Sequence, residues 1–339
     1  MTRNQAMRWG VLLACVLMTN SVIAASRAFP RVVQSVQPNM VKIYGAGGIR
    51  GLEAYQSGML ISKEGHVLTV WSYVLDTDYI TVTLNDGRKF KGELVGADPR
   101  LEIAVLKIEA EDLACFNVDE SVELGSGDRV LAFSNLFGVA TGNEPASVLH
   151  GSVAVRTPLS ARRGAFESTY TGDVYVLDAM TNNPGAAGGA LTDRQGRLVG
   201  LLGKELRNSL NNTWLNYAIP MEALAPSIDD ILSGRVPRPR DKDAEDRKPM
   251  EAWSLELLGI TLVPDVLPKT PPFVDRVRAD SPAAKADLQV DDLILFVNDH
   301  IASSCKNLVE ELSYIDRIDP VILTVQRGTR LLDVELTLD

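Results

Sequence analysis

The stretch Asp178–Leu191, which reads DAMTNNPGAAGGAL, crowds Gly185, Gly188 and Gly189 into one loop that leads to the strand-like segment Leu198–Leu202. Glycine tolerates positive φ and close backbone approach, so several amide N–H groups of such a loop can turn toward one point. Amides that converge in this way can hold a developing oxyanion. This loop is therefore the first candidate for a functional site in the chain.

Length and composition restrict the class of protein. The chain has 339 residues, of which 45% are hydrophobic and 23% are charged, which is ordinary for globular domains and predicts about two of them. The net charge of −10 argues against nucleic acid as the main partner, because a phosphate-binding face needs clustered Lys and Arg. No group of His, Cys and carboxylate residues has zinc spacing and no phosphate-binding loop is present, so no metal and no cofactor are expected.

Residues 1–25 have the pattern of an export signal. Arg3 and Arg8 precede an apolar stretch, and small residues before Ala24 predict cleavage near that position. Lipid attachment at Cys15 is the less favoured alternative, because the apolar run continues beyond it. No later stretch reaches the roughly 18 apolar residues of a membrane span. The mature chain is expected to be exported and soluble.

Short β-like runs separated by turn signals predict a mostly β protein. Asp86-Gly87 between two alternating runs is a strong hairpin signal. Two β-rich halves of similar size, before and after about residue 120, fit paired six-stranded barrels. A short helix near Ala225–Leu232, with Pro226 in its first turn, would close this domain, which we assign to residues 29–234.

A second domain follows a change in composition. Residues 235–252 are rich in Pro and mixed charges and read as a stiff, solvated linker, with a charged loop inside one larger domain as the alternative. Residues 253–339 alternate strands with short helices, one of them beginning at Ser281-Pro282. Such an α+β module can leave a groove in which an extended peptide adds as a strand.

Several motifs, in their order and spacing, resemble the HtrA (DegP/DegQ-like) family of exported serine proteases, which have a trypsin-like fold and a C-terminal PDZ domain. The resemblance covers nearly the whole mature chain. It is carried by Ser57–Ser62 (SGMLIS), Glu64–Thr69 (EGHVLT), Asp98–Ile108 (DPRLEIAVLKI), Asn135–Gly138 (NLFG), Asn183–Leu191 (NPGAAGGAL) and Tyr217–Pro220 (YAIP).

The same alignment places different residues at the family's catalytic triad. Ser72 stands where the family has His, Glu102 where it has Asp, and Ala187 where it has Ser. Serine lacks the basicity of histidine, and alanine offers no nucleophile. We therefore expect no intact catalytic residue, a remnant of the oxyanion loop at Gly185, Ala186 and Ala187, and an inactive pseudoprotease.

The resemblance also implies a peptide site in the C-terminal module. Leu257, Leu258, Gly259 and Ile260 match the family's carboxylate-binding loop, whose amides would receive a peptide's terminal carboxylate. Leu308 and Leu312 lie one helical turn apart and would line the adjoining apolar pocket. The alternative, that these two leucines belong purely to the core, is almost equally favoured.

Three hypotheses for function follow. The first is a periplasmic, catalytically inactive scaffold, adaptor or regulator in envelope protein quality control, which is a homo-oligomer (a trimer by resemblance) and binds proteins, peptide C termini or an active relative. The second is a serine endopeptidase-like hydrolase with rearranged, weak activity, for which Ser72 and Thr181 are the available hydroxyls. The third is an envelope-assembly component with a closed PDZ groove.

Overall fold

The computed structural model describes residues 29–47, 53–120, 122–163, 166–235, 248–266 and 269–338. The predicted export signal and most of the predicted linker lie outside these ranges. The described chain is mostly β, and it consists of two six-stranded barrels followed by a smaller α+β domain. The expected fold class is confirmed.

The first barrel is closed in the order β1-β2-β3-β6-β5-β4. Its hairpin between β4 and β5 turns at Gly87, whose φ of +88° suits the predicted Asp-Gly signal. The strands are β1 (Met40–Tyr44), β2 (Tyr55–Leu60), β3 (His66–Val70), β4 (Ile80–Leu84), β5 (Lys89–Asp98) and β6 (Ile103–Lys107).

The second barrel is closed in the order β11-β15-β13-β12-β7-β8. A separate three-stranded sheet, in the order β10-β9-β14, lies beside it. The strands of the barrel and of this sheet are β7 (Arg129–Ser134), β8 (Ser147–Pro158), β9 (Ala161–Arg163), β10 (Phe166–Glu167), β11 (Asp173–Leu177), β12 (Ala190–Asp193), β13 (Leu198–Leu202), β14 (Arg207–Asn208) and β15 (Tyr217–Pro220).

One buried apolar cluster spans both barrels, and each barrel also has a cluster of its own. Met59 and Leu68 of the first barrel belong to the same buried cluster as Phe133 and Tyr217 of the second. Joint burial of this apolar surface fixes the barrels against each other, so that loops from both can contribute to one site.

Helices flank the barrels at both ends of this domain. Residues 29–36 form α1, and α2 spans Met221–Leu232. Helix α2 begins four residues before the predicted start, so Pro226 lies inside the helix and not in its first turn. The helix extends back to Met221 because the apolar side chains of Met221, Leu224 and Ile228 recur at helical spacing and form its buried face.

The C-terminal domain combines three short helices with two sheets, of order β16-β17 and β19-β18-β20-β21. Ser254, Ser281 and Ser304 cap its helices through side-chain oxygens. The elements are α3 (Leu255–Leu258), β16 (Ile260–Leu262), β17 (Val274–Val277), α4 (Pro282–Lys285), β18 (Leu293–Val297), β19 (His300–Ile301), α5 (Cys305–Leu312), β20 (Val321–Arg327) and β21 (Arg330–Leu336). None of the helices in the described ranges has the length and apolarity needed to cross a membrane.

Candidate functional site

The glycine loop between β11 and β12 adopts the strained geometry that its sequence predicts. Gly185 and Gly188 have φ values of +85° and +83°. A Cβ at Gly185 would overlap the Asn135 carbonyl, and one at Gly188 would overlap the Ser57 carbonyl. Both positions therefore need glycine for conformation as well as for space.

The loop is held from the first barrel and from the turn after β7. Ser57 Oγ donates to the Gly185 carbonyl (2.6 Å) and accepts from the Asn135 amide (2.7 Å). The Ser57 amide donates to the Ala187 carbonyl (2.9 Å), and the Phe137 amide donates to the Pro184 carbonyl (2.8 Å). These four bonds fix the direction in which the loop's own amides point.

The amides from Gly185 to Gly189 divide into bonded and unbonded donors. The amides of Ala186, Gly188 and Gly189 donate to the carbonyls of Asn183, Leu202 and Ala186. Neither Gly185 N–H nor Ala187 N–H donates to another described residue. The arrangement thus leaves two donors, two positions apart, for an oxygen atom that is not part of the described chain.

Ser72 lies directly after β3, where it caps the short 3₁₀ helix Tyr73–Leu75 by accepting from the Val74 amide. Its Oγ donates to Gln56 Oε1 at 2.5 Å. Gln56 Nε2 in turn donates to Thr69 Oγ1, which donates to the Ser57 carbonyl. A series of hydrogen bonds therefore links Ser72 to Ser57, the residue that holds the glycine loop. The Ser72 hydroxyl is not bonded to a base.

Glu102 is nearly buried, with 9% of its surface exposed, and its φ of +57° is strained for a residue with a side chain. Its carbonyl accepts from the Trp71 amide at 2.8 Å, which helps to hold this conformation. One carboxylate oxygen lies 3.5 Å from Lys204 Nζ, and the other accepts from Ser168 Oγ at 3.3 Å. The Glu102 carboxylate thus contacts both the Ser168 hydroxyl and the Lys204 ammonium group.

A pocket of about 220 Å³ contains this group. Ser72, Glu102, Ser168 and Lys204 line it, together with Gln326 from the C-terminal domain. The sequence offered no signal for Ser168, Lys204 or Gln326, because each lies far along the chain from Glu102 and none belongs to a local motif. Only the three-dimensional fold brings them together.

A second group of polar side chains lies beside the glycine loop. Tyr55 packs against the position that a Cβ of Gly185 would take, and Tyr73 donates from its hydroxyl to Glu53 (3.1 Å). Burial raises the pKa of Glu205, and repulsion from Glu53 raises it further. Glu53 and Glu205 therefore concentrate negative charge in this group of side chains.

The other residues considered from the sequence lie elsewhere or remain unpaired. His66 is bonded through Nδ1 to Ser62 Oγ at 2.8 Å, and burial followed by Lys107 lowers its pKa. Thr181 Oγ1 is buried and has no hydrogen-bond partner. Neither one supplies a base to Ser72. No group of three His, Cys, Asp or Glu side chains in the described ranges is arranged to hold a metal ion.

A larger pocket, of about 400 Å³, is lined by Arg129, His150, Ser152 and Asp178. It shares no lining residue with the pocket around Glu102. Asp178 accepts from both the amide and the hydroxyl of Ser152 (2.6 and 2.8 Å), which lowers its pKa. The hydroxyl, carboxylate and ammonium groups of Ser168, Glu102 and Lys204 favour the smaller pocket as the candidate functional site.

In the C-terminal domain, most amides of the predicted carboxylate-binding loop are already engaged. The Leu257 amide donates to Ser254 Oγ, the Leu258 amide to the Ser254 carbonyl, and the Gly259 amide to the Glu256 carbonyl. These bonds form the single turn of α3 and its cap, in which Gly259 has a φ of +78°. The loop as described therefore leaves few amides for a terminal carboxylate.

The remaining peptide-site residues divide between core and edge. Leu308 and Leu312 are completely buried in the domain core. Gly259 O and Val263 N bond toward β17, so the alternation of a strand turns the backbone groups of Ile260 and Leu262 to the opposite edge. That edge is the one available to an added strand.

The comparisons with known proteins agree with this architecture. A family model described as "Trypsin-like peptidase domain" matches residues 56–201, and one described as "PDZ domain" matches residues 257–338. The "Probable periplasmic serine endoprotease DegP-like" of Pseudomonas fulva is 32% identical over 260 residues, which cover 74% of this chain and 48% of that protein. The "Serine endoprotease DegS" of Haemophilus influenzae is 28% identical, with 98% of this chain and 96% of that protein covered.

The chain spans about half the length of the DegP-like relatives that it matches. Among solved structures, the "HtrA-type protease AlgW with tripeptide" is similar with a TM-score of 0.48 and 25% identity, with 91% of this chain and 96% of that chain covered. The "serine endoprotease from Yersinia pestis" has a TM-score of 0.47 and 23% identity, with 92% and 98% covered.

These relatives correct one expectation from the sequence. The interpretation of the chain as an inactive pseudoprotease is wrong, because the relatives are named serine endoproteases and point to a protease. The sequence predicted the oxyanion loop but not the Ser168–Glu102–Lys204 group, which a local sequence pattern does not reveal.

Proposed function

Because the chain has the trypsin-like peptidase and PDZ domains of the HtrA family, we propose that it is a serine endopeptidase-like hydrolase with a rearranged site and weak activity. We place it in the periplasm, in envelope protein quality control. The names of the relatives support the reaction class and the compartment. The observation that carries the proposal is the pair of free amides at Gly185 and Ala187, fixed by Ser57 from the other barrel.

In the proposed reaction, the free amides bind the carbonyl oxygen of the scissile peptide bond. Their position is fixed before the substrate arrives, so they can stabilise negative charge on this oxygen without reorganisation. Loss of one such donor costs roughly a hundred- to a thousand-fold in rate in enzymes of this kind. The loop therefore retains a catalytic contribution that does not depend on the side chain at Ala187.

The nucleophile in this proposal is Ser168 and the base is Glu102. Ser168 Oγ attacks the carbonyl carbon, its proton passes to the Glu102 carboxylate, and the C–N bond breaks as the amine takes that proton. Water then hydrolyses the ester and returns the hydroxyl to Ser168. Lys204, 3.5 Å from Glu102, orients the carboxylate. A carboxylate is a poorer base than imidazole near neutral pH, so the rate should be low.

The C-terminal domain is proposed to capture peptides by their C termini or as an added strand. The open edge at Ile260 and Leu262 supports the second mode, since main-chain bonds there require no particular partner sequence. A homo-oligomer is proposed by resemblance to the family. Sedimentation equilibrium of the purified chain would show a mass above 36.9 kDa if this is right.

Cleavage of an unfolded protein by the full chain tests the reaction. Fluorescein-labelled casein should be cut slowly, and both Ser168→Ala and Glu102→Gln should abolish that cleavage. Ser152→Ala is the matched control, because Ser152 also donates to a carboxylate, that of Asp178, but lies outside this pocket. Cleavage that persists in Ser168→Ala and Glu102→Gln would exclude the proposed chemistry and indicate a contaminant or another site.

A further inference from the structure

The larger pocket lies on the outer face of the second barrel, and its volume of about 400 Å³ falls within the range of small-molecule sites. In the ladder of β7 and β8, Arg129 stands directly opposite Ser152. Val130 and Val153, the next residues along, belong to the buried cluster of this barrel. Because side chains alternate across a strand, Arg129, His150 and Ser152 project outward together.

The Asp178 carboxylate is held at one side of this pocket by Ser152. Its Oδ1 accepts from the Ser152 amide at 2.6 Å, and its Oδ2 accepts from the Ser152 hydroxyl at 2.8 Å. These bonds lower the pKa of Asp178, so the group is negatively charged at neutral pH. Gly151 permits the approach, because a Cβ there would overlap Asp178 Oδ1. A carboxylate has about four acceptor positions, so it can still receive another donor.

Arg129 supplies the opposite charge. In the described part of the chain its guanidinium group has no hydrogen bond, ion pair or aromatic contact, although it lines the same pocket as Asp178. Because Ser152 already binds both carboxylate oxygens, the negative charge stays at its own side of the pocket. Two opposite charges therefore face one cavity without neutralising each other.

The remaining lining leaves room between these charges. A Cβ at Gly127 would meet no atom within 4 Å, so the pocket is open at that position. The ring of His150 packs edge-on against Phe29, with 5.7 Å between the ring centroids, and this contact fixes one wall. Nothing in the described lining is a large apolar side chain, so the pocket suits a polar ligand.

We propose that this pocket binds a small zwitterion, a molecule of about amino-acid size that carries both an amine and an oxyanion. Arg129 receives the oxyanion, for which the planar guanidinium group offers paired donors, and Asp178 receives the ammonium group. A simple anion would be repelled by Asp178 and a simple cation by Arg129. A zwitterion satisfies both charges at once. A free amino acid and the phosphoethanolamine headgroup of a lipid share this chemistry.

Ligands that lack one charge test the proposal on the unaltered full chain. Saturation-transfer NMR should show saturable binding of L-alanine. N-acetyl-L-alanine has no ammonium group and L-alaninamide has no carboxylate, and each should bind about ten-fold more weakly or worse, because each loses one charge-assisted contact. Equal binding of the three compounds would overturn the proposal.

Substitution of either charge should exchange the preference among these ligands. Asp178→Asn should weaken L-alanine binding about ten-fold and strengthen that of N-acetyl-L-alanine, because the repulsion of an anion is gone. Arg129→Gln should weaken L-alanine binding equally and strengthen that of L-alaninamide. Arg88→Gln is the matched control, because Arg88 is an exposed arginine paired with Asp86 in the first barrel, and it should leave all three affinities unchanged.

Two further probes identify the source of the zwitterion. O-phosphoethanolamine is titrated in the same way, and flotation is compared between phosphatidylglycerol vesicles that contain phosphatidylethanolamine or phosphatidylcholine. Binding of L-alanine without vesicle binding assigns a free small molecule. Binding of O-phosphoethanolamine and of the phosphatidylethanolamine vesicles alone assigns the headgroup.

Absence of saturable binding for both L-alanine and O-phosphoethanolamine would overturn the proposal, as would binding that neither Asp178→Asn nor Arg129→Gln alters. An unfolded variant would bind none of the probes and could not exchange its preference, and the comparison of ligands on the unaltered chain needs no variant. The site does not depend on the proposed hydrolysis, because the two pockets share no lining residue.

Discussion

Ser57 Oγ, in the first barrel, donates a 2.6 Å hydrogen bond to the carbonyl of Gly185, in a loop of the second. The same oxygen accepts from the Asn135 amide at 2.7 Å, and the serine is completely buried. One hydroxyl therefore satisfies two backbone groups that have no access to water. The bond also ties a strand of the first barrel to the glycine loop of the second.

We expect Ser57→Ala to destabilise the N-terminal domain by about 1–3 kcal/mol, because it leaves a buried donor and a buried acceptor unpaired. The measurement is calorimetric unfolding of the full chain. Ser35→Ala is a suitable control, since Ser35 Oγ donates to the Val32 carbonyl at an exposed position and its loss should be within about 0.5 kcal/mol. Equal effects of the two substitutions would contradict the role of Ser57.

Gly188→Ala separates close approach from backbone strain. Gly188 and Gly127 have similar positive φ values, +83° and +90°. A Cβ at Gly188 would overlap the Ser57 carbonyl and Thr69 Oγ1, whereas one at Gly127 would meet nothing within 4 Å. Gly127→Ala should therefore cost about 1 kcal/mol for strain alone, and Gly188→Ala several kcal/mol, because backbone must move. Similar unfolding midpoints for Gly188→Ala and Gly127→Ala would show that the backbone around Gly188 moves at little cost in stability.

The sequence predicted the parts of this site that depend on local conformation. The turn at Gly87 and the glycine loop follow from where only glycine fits. In the C-terminal domain, Asp287 and Asp291 adopt φ values of +60° and +70°, a region that aspartate tolerates moderately well.

What the sequence could not predict depends on contacts between distant segments. Ser168 reaches Glu102 across 66 positions, and Gln326 comes from the other domain altogether. Neither residue lies in a motif, and a lone serine or glutamine carries no spacing signal. The predicted helix near Ala225–Leu232 was shorter than α2, because Pro226 indicated a helix start near that residue. Burial of the apolar face extends the helix beyond this boundary, to Met221.

Lys42 is a buried cation whose removal should disturb the loop at residues 140–146. Its Nζ donates to the carbonyls of Gly142 (2.6 Å) and Glu144 (2.9 Å), and only 2% of the residue is exposed. Lys42→Met keeps the aliphatic length but leaves both carbonyls without this donor, which should cost about 2 kcal/mol. Hydrogen exchange should quicken at residues 140–146. Lys91→Met, at an exposed position paired with Glu93, should leave this exchange unchanged.

Asp76 makes stability depend on pH. Burial raises its pKa from 3.8 to about 7, and attraction to Lys269 offsets this only in part. A carboxyl whose pKa is higher in the folded state binds its proton more tightly there, so its contribution to stability is complete below about pH 4 and is lost as the pH rises through about 7. Asp76→Asn keeps the neutral form at every pH. It should match the wild type near pH 4 and exceed its stability at pH 8 by about 2 kcal/mol, after allowance for solvent screening. Asp78→Asn, at an exposed carboxyl, should show no such gain. If the difference between Asp76→Asn and the wild type were the same at pH 4 and pH 8, Asp76 would not titrate in this range.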